Sequence, residues 1–104
     1  MKTNHADIIM VKCKTPPTVE IDTGASAAYV RFKRTKIART LRHSTKWPIV
    51  TIDVDARGQV VGVELVGVKK FNLGYLLEQA SVKATSEALD RVNYVSAEAH
   101  LAAA

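Results

Sequence analysis

The chain is poor in the residues on which most small-protein chemistry depends. It has a single cysteine, Cys13, which excludes an internal disulfide and any zinc site built from several thiolates. Its three histidines, His5, His43 and His100, are too far apart for metal-ligand spacing. There is no glycine-rich phosphate loop and no nucleophile elbow. No apolar run approaches the ~18 residues needed to cross a membrane. The stretch behind the first residues, Ile8 to Val11, is too short for a secretory leader. There is no internal repeat, and the only low-complexity segment is the run of alanines at the end. Acidic residues are missing altogether from residues 31–46.

What remains is an ordinary globular composition. The 104 residues are 47% apolar and 24% charged, which predicts one domain and excludes a disordered chain. A chain of this size buries roughly two thirds of its unfolded surface, enough for one core but not for a deep cleft. A large cofactor site is therefore disfavoured, and a binding surface or a site shared between subunits fits better. The net charge of +5 asks for an acidic partner.

Residues 1–17 read as an N-terminal extension with one short strand at Ile8-Ile9-Met10-Val11, ended by Pro16-Pro17. Residues 18–70 read as a β module. Val19 and Ile21, then Ala28, Val30 and Phe32, then Val50, Ile52 and Val54 alternate with polar residues, the period of half-buried strands. Thr23-Gly24-Ala25-Ser26 is a turn. Ile37 to Leu41 is a weaker strand, and His43-Ser44-Thr45-Lys46 a polar connector. Asp55-Ala56-Arg57-Gly58 is a hairpin loop with its glycine where a left-handed backbone is needed. The strand with Val61, Val63 and Leu65 also carries Val60, Val66 and Val68, so it is central or lies under a helix. Short connections predict an antiparallel meander of four to five strands.

Residues 72–104 read as helical. Asn72 can cap the segment, and Leu73, Leu76, Leu77, Ala80, Ala84, Ala88, Val92, Val95 and Ala99 recur at spacings of three and four. One long helix or two shorter ones both fit, with Ser86 as a cap for the second.

Two segments carry a resemblance. Asp22-Thr23-Gly24-Ala25-Ser26-Ala27-Ala28-Tyr29-Val30-Arg31 stands where a bacterial family has Asp-Pro-Glu-x-Asp-x-Leu-Tyr-Ile-Arg. Asp53-Val54-Asp55-Ala56-Arg57-Gly58-Gln59-Val60-Val61-Gly62-Val63-Glu64-Leu65-Val66 is similar to its Asp-x-Asp-x-x-Gly-x-Ile-Val-Gly-Ile-Glu-Ile-Leu hairpin. Residues 19–70 thus resemble the small bacterial proteins grouped as domain of unknown function 2283. Ser26 departs from the family's acidic position, and Thr23 and Gly24 from its Pro and Glu. The resemblance implies a small β-rich fold with a helix after the last strand and no reaction. Relatives look like companions of toxin-like ribonucleases, which implies an antitoxin or interaction role.

Four features compete for a function. Arg31, Lys33, Arg34, Lys36, Arg39, Arg42 and Lys46 put seven positive charges into 16 residues without an acid, while the rest of the chain has eight basic and ten acidic residues. Such a block can meet phosphates or an acidic protein, or it can be a solvated edge that discourages aggregation. Only Trp47 and Tyr29 are near it to stack on bases. Asp53 and Asp55 share a strand face with Glu64 opposite, a set that can bind a hard cation or pair with nearby cations across strands. Cys13 lies between Lys12 and Lys14, which would lower its pKa; in an apolar strand it serves as packing. The C-terminal segment either packs on the sheet or projects to dock on a partner.

These readings predict an α+β domain over 1–104: a small antiparallel sheet followed by a C-terminal helical segment. The expected function is non-catalytic protein binding, antitoxin-like and self-associating, in the cytoplasm, with no cofactor, no metal ion and no membrane. The seven basic residues are the expected contact residues. Nucleic-acid binding through 31–46 is the alternative.

Overall fold

The computed structural model describes residues 8–44, 46–85 and 90–97. Among them are eight strands and one α-helix in the order β1 (Ile9–Val11), β2 (Thr18–Asp22), β3 (Ala27–Arg31), β4 (Arg39–Ser44), β5 (Ile49–Val54), β6 (Val60–Val66), α1 (Leu73–Ala80), β7 (Val82–Ala84) and β8 (Asn93–Ser96). Six strands form one sheet in the order β4-β5-β6-β3-β2-β8, and β1 and β7 form a separate pair.

The strands arise where alternation was strongest. In β5 the residues Val50, Ile52 and Val54 are buried while their neighbours are half-buried, as a sheet with one dry face requires. The hairpin into β6 turns at Gly58, whose φ of 81° lies in the left-handed region that glycine enters without steric cost. β6 is central, as its apolar content predicts: it is flanked by β5 and β3, and Val61, Val63 and Leu65 are fully hidden. The weak strand falls at Arg39–Ser44, two to three residues beyond the expected Ile37–Leu41, so His43 and Ser44 belong to a strand and not to a connector.

Two expectations of architecture are corrected. The sheet is not a meander: β3 pairs with β6, with β5 beyond it, and β8 joins β2 in parallel. The short strand of the N-terminal extension is found as β1, which pairs in parallel with β7, and Val11 and Cys13 lie in the core. Residues 72–104 are not one helical segment. The helix runs only from Leu73 to Ala80, and Asn72 caps it as expected, its side chain accepting from the Tyr75 amide at 2.8 Å. It buries Leu73, Leu76, Leu77 and Ala80 against the sheet and stops at Ser81, whose φ is 57°. Ala84 and Val95, expected on the helical stripe, lie in β7 and β8 instead. Ser86 and residues 98–104 lie outside the described residues.

The physical reason is competition for non-local partners. Alanine buries little, so the later helical stripe gains little from packing, whereas Val82 placed beside Ile9 is nearly fully buried. The same cross-strand gain favours a β-branched residue in a ladder over a helix.

The opposite face of the large sheet is polar. One cross-sheet row reads Thr40, Asp53, Gly62, Arg31, Thr18 and Asn93; the next reads Arg42, Thr51, Glu64, Tyr29, Glu20 and Val95. No described helix is long and apolar enough to cross a membrane.

Candidate interaction surface

The basic block does not fold into one patch. Arg31 ends β3 and donates from Nε to Glu20 Oε2 on the neighbouring strand at 3.0 Å. Lys33, just past β3, donates from Nζ to Asp55 Oδ2 at 2.6 Å and to Gln59 Oε1 at 2.8 Å. These two positive charges are therefore balanced by local carboxylates. Arg34 lines an open groove of about 560 Å³ above β2 and β8, together with Thr18, Glu20, Arg31, Asn93 and Val95. Lys36, Arg39, Arg42 and Lys46 lie on and around β4, the opposite edge of the sheet. Three strand spacings, roughly 14 Å, separate β3 from β4. Among the described residues, Arg34, Lys36, Arg39, Arg42 and Lys46 have no ion-pair partner, and all five are exposed.

The two balanced cations anchor different parts of the fold. Asp55 is buried and its carboxylate closes the β5–β6 hairpin: Oδ1 accepts from the amides of Arg57 and Gln59, each at 2.9 Å. The Lys33 ammonium, reinforced by these amides, holds the Asp55 carboxyl below its ordinary value. Asp53 is occupied differently. It accepts from the Tyr29 hydroxyl at 2.7 Å and from the Thr40 hydroxyl, so it ties β3 to β4 across the intervening strands. The Tyr29 ring crosses β6 at Gly62, where an added Cβ would collide with its hydroxyl end; glycine is required there by close approach. The Arg31 guanidinium lies 4.9 Å from the centre of that ring, within cation–π range.

Burial raises the Tyr29 pKa, and the hydrogen bond to the Asp53 carboxylate raises it further. The phenol is thus held protonated at neutral pH, as a donor that locks the polar face. The expected acidic cluster is accordingly divided: Asp53 serves Tyr29 and Thr40, Asp55 serves Lys33 and the hairpin, and Glu64 stands opposite Thr51 and Tyr29. No group of three such ligands is placed for a metal ion among the described residues. Cys13 is buried, and desolvation pushes its thiol up, against the effect expected of Lys12 and Lys14. Its amide donates to Thr85 Oγ1 at 3.0 Å, tying β1 to the segment after β7.

Sequence reasoning named Trp47 as a ring beside the basic block but missed the exposed Ile37 and Leu41 of the β4 surface. Ile37 and Leu41 are exposed among the cations of that edge, and Trp47 follows β4 with 71% of its surface exposed. The Trp47 ring rests against Gly67 in the loop after β6. The signal available in the sequence was the placement of Ile37 and Leu41 between Lys36 and Lys46, with Trp47 directly after, in a stretch otherwise largely polar and basic. No family model, no curated protein and no solved structure matches the chain.

Proposed function

We propose that the chain is a non-catalytic protein-binding module whose contact surface is β4 with its flanking residues, and whose partner is acidic. The observation that supports it is the composition of that edge: Lys36, Arg39, Arg42 and Lys46, without an ion-pair partner among the described residues, interleaved with exposed Ile37, Leu41 and Trp47. Arginine and tryptophan in a partly apolar surface are the residue types on which protein interfaces concentrate their affinity. Arg31 and Lys33 leave the expected contact set, because Glu20 and Asp55 already neutralise them. Arg34 belongs to the groove at the far side of the sheet. The resemblance noted above adds an antitoxin-like role and a cytoplasmic setting to this reading, and self-association is one form it can take.

The test is capture of partners from a nuclease-treated cell extract by the immobilised chain, with each captured protein purified and rebound. The expected outcome is binding that survives nuclease and is lost in the Arg39→Glu/Arg42→Glu variant. Capture that vanishes with nuclease, together with a steep salt-dependent shift of generic DNA or RNA, would replace this reading with nucleic-acid binding. Capture unchanged by the charge reversal would move the contact surface elsewhere. Light scattering after size exclusion reads self-association directly.

A further inference from the structure

One row of apolar residues crosses the whole sheet and is finished at only one end. The strand register sets Tyr94, Val19, Val30, Val63, Ile52 and Leu41 side by side, one from each strand. Val19, Val30 and Val63 are fully hidden, Ile52 is nearly so, and the two ends are open, Tyr94 at 49% and Leu41 at 43% exposure. The Tyr94 end is tied down: its hydroxyl accepts from the Leu73 amide at 2.9 Å, in the first turn of α1. No described residue does the same for Leu41. Among the described residues β4 is also bonded to β5 on one side only, so alternate backbone N–H and C=O groups along Arg39–Ser44 face outward.

We propose that β4 receives an extended, acidic segment of another protein as a seventh strand of the sheet. The proposal rests on the protein-binding reading above and specifies its mode. An added strand supplies the outward backbone groups of β4 with partners, and its alternating side chains meet two different surfaces. Those on the core side lie beside Leu41 and continue the apolar row. Those on the other side lie beside Arg42, on the polar face it shares with Thr51. Lys36 and Lys46 flank the two ends of the strand. Cations on a sheet edge repel basic strands and disfavour apolar ones that would bury the charge, and the same cations select an acidic one. A second copy pairing β4 on β4 is a poor occupant, because that segment has no acid and like charges across a ladder are destabilising. A nucleic acid has no strand with which to satisfy the edge.

The test uses the full chain and a fluorescein-labelled peptide of alternating glutamate and valine, about six residues long, the length of an ordinary strand. A second peptide has the same sequence with alternate amides N-methylated, and a third probe is single-stranded RNA. Binding is read by anisotropy, and its location by amide hydrogen exchange. The plain peptide is expected to bind, to slow exchange along β4, and to lose about tenfold in affinity on N-methylation. Arg42→Glu and Leu41→Ser should each weaken it, with the fold of both variants checked by circular dichroism. Equal binding of the two peptides, weakened in both by Arg42→Glu, overturns strand addition and leaves the protein-binding surface standing. Slowed exchange beside β8 in place of β4, or no binding of either peptide, also overturns strand addition. Binding of RNA alone overturns both readings.

Discussion

The two edges of the six-stranded sheet end the same apolar row in different ways. At β8 the terminal residue is Tyr94, and its hydroxyl serves the first turn of α1. The edge is neutral, Asn93-Tyr94-Val95-Ser96, and its strand runs parallel to β2. At β4 the terminal residue is Leu41, without such a tie among the described residues, on a strand that carries Arg39 and Arg42. The exposures of Tyr94 and Leu41 are nearly equal, so exposure alone does not distinguish a tied end of the row from a free one. The distinction lies in hydrogen bonding and charge. A polar tip lets an aromatic end residue join another element, whereas an aliphatic end residue has only a further apolar side chain to gain.

The comparison can be broken by stability measurements. The scale is set by the shared interior: Leu65→Ala in β6 removes a fully hidden side chain and should cost about 2–5 kcal/mol in urea unfolding. Gly62→Val should cost about 1–3 kcal/mol by overpacking, because Tyr29 must leave its place on β6. Loss of the Tyr29–Asp53 hydrogen bond would show as faster exchange across β3 to β5. Tyr94→Phe removes the acceptor for the Leu73 amide and should cost about 1 kcal/mol, with exchange rising in the first turn of α1. Leu41→Ala should stay within about 0.5 kcal/mol, as substitutions at free surface positions do. If Leu41→Ala costs as much as Tyr94→Phe, the two edges are equivalent and the contrast fails.

The Lys33–Asp55 contact adds a pH dependence away from both edges. The Asp55 carboxyl is held below its ordinary value of 3.8 in the folded chain. Its contribution is therefore fully present above that value and is lost as pH falls through the lower, folded one. Asp55→Asn should flatten the acid limb of melting temperature against pH. A limb unchanged by the substitution would assign acid unfolding to other carboxylates.

Much of the β module was legible because its signals are local. Alternation at Val50, Ile52 and Val54 sets the buried face of β5 whatever its partner, the Asp55 to Gly58 turn needs only its own residues, and the Asn72 side chain reaches an amide three residues on. The segment after Ala80 was misread for the converse reason. Its apolar residues sit three and four apart, as in a helix, yet Val82 finds Ile9 and Tyr94 finds Val19, contacts that bridge most of the chain. The basic block was visible as a run of residues, but its division was not, since Glu20 and Asp55 reach Arg31 and Lys33 only through strand pairing and hairpin closure.

By itself, then, the sequence determined where strands alternate, where the chain turns, and that positive charge collects between Arg31 and Lys46. Only the tertiary structure decided which of those charges are balanced, which edge of the sheet they occupy, and that an apolar row ends unprotected among them. The physical reason is range. Alternation and turn chemistry act within a few residues, whereas neutralisation and burial depend on which strands become neighbours in the sheet.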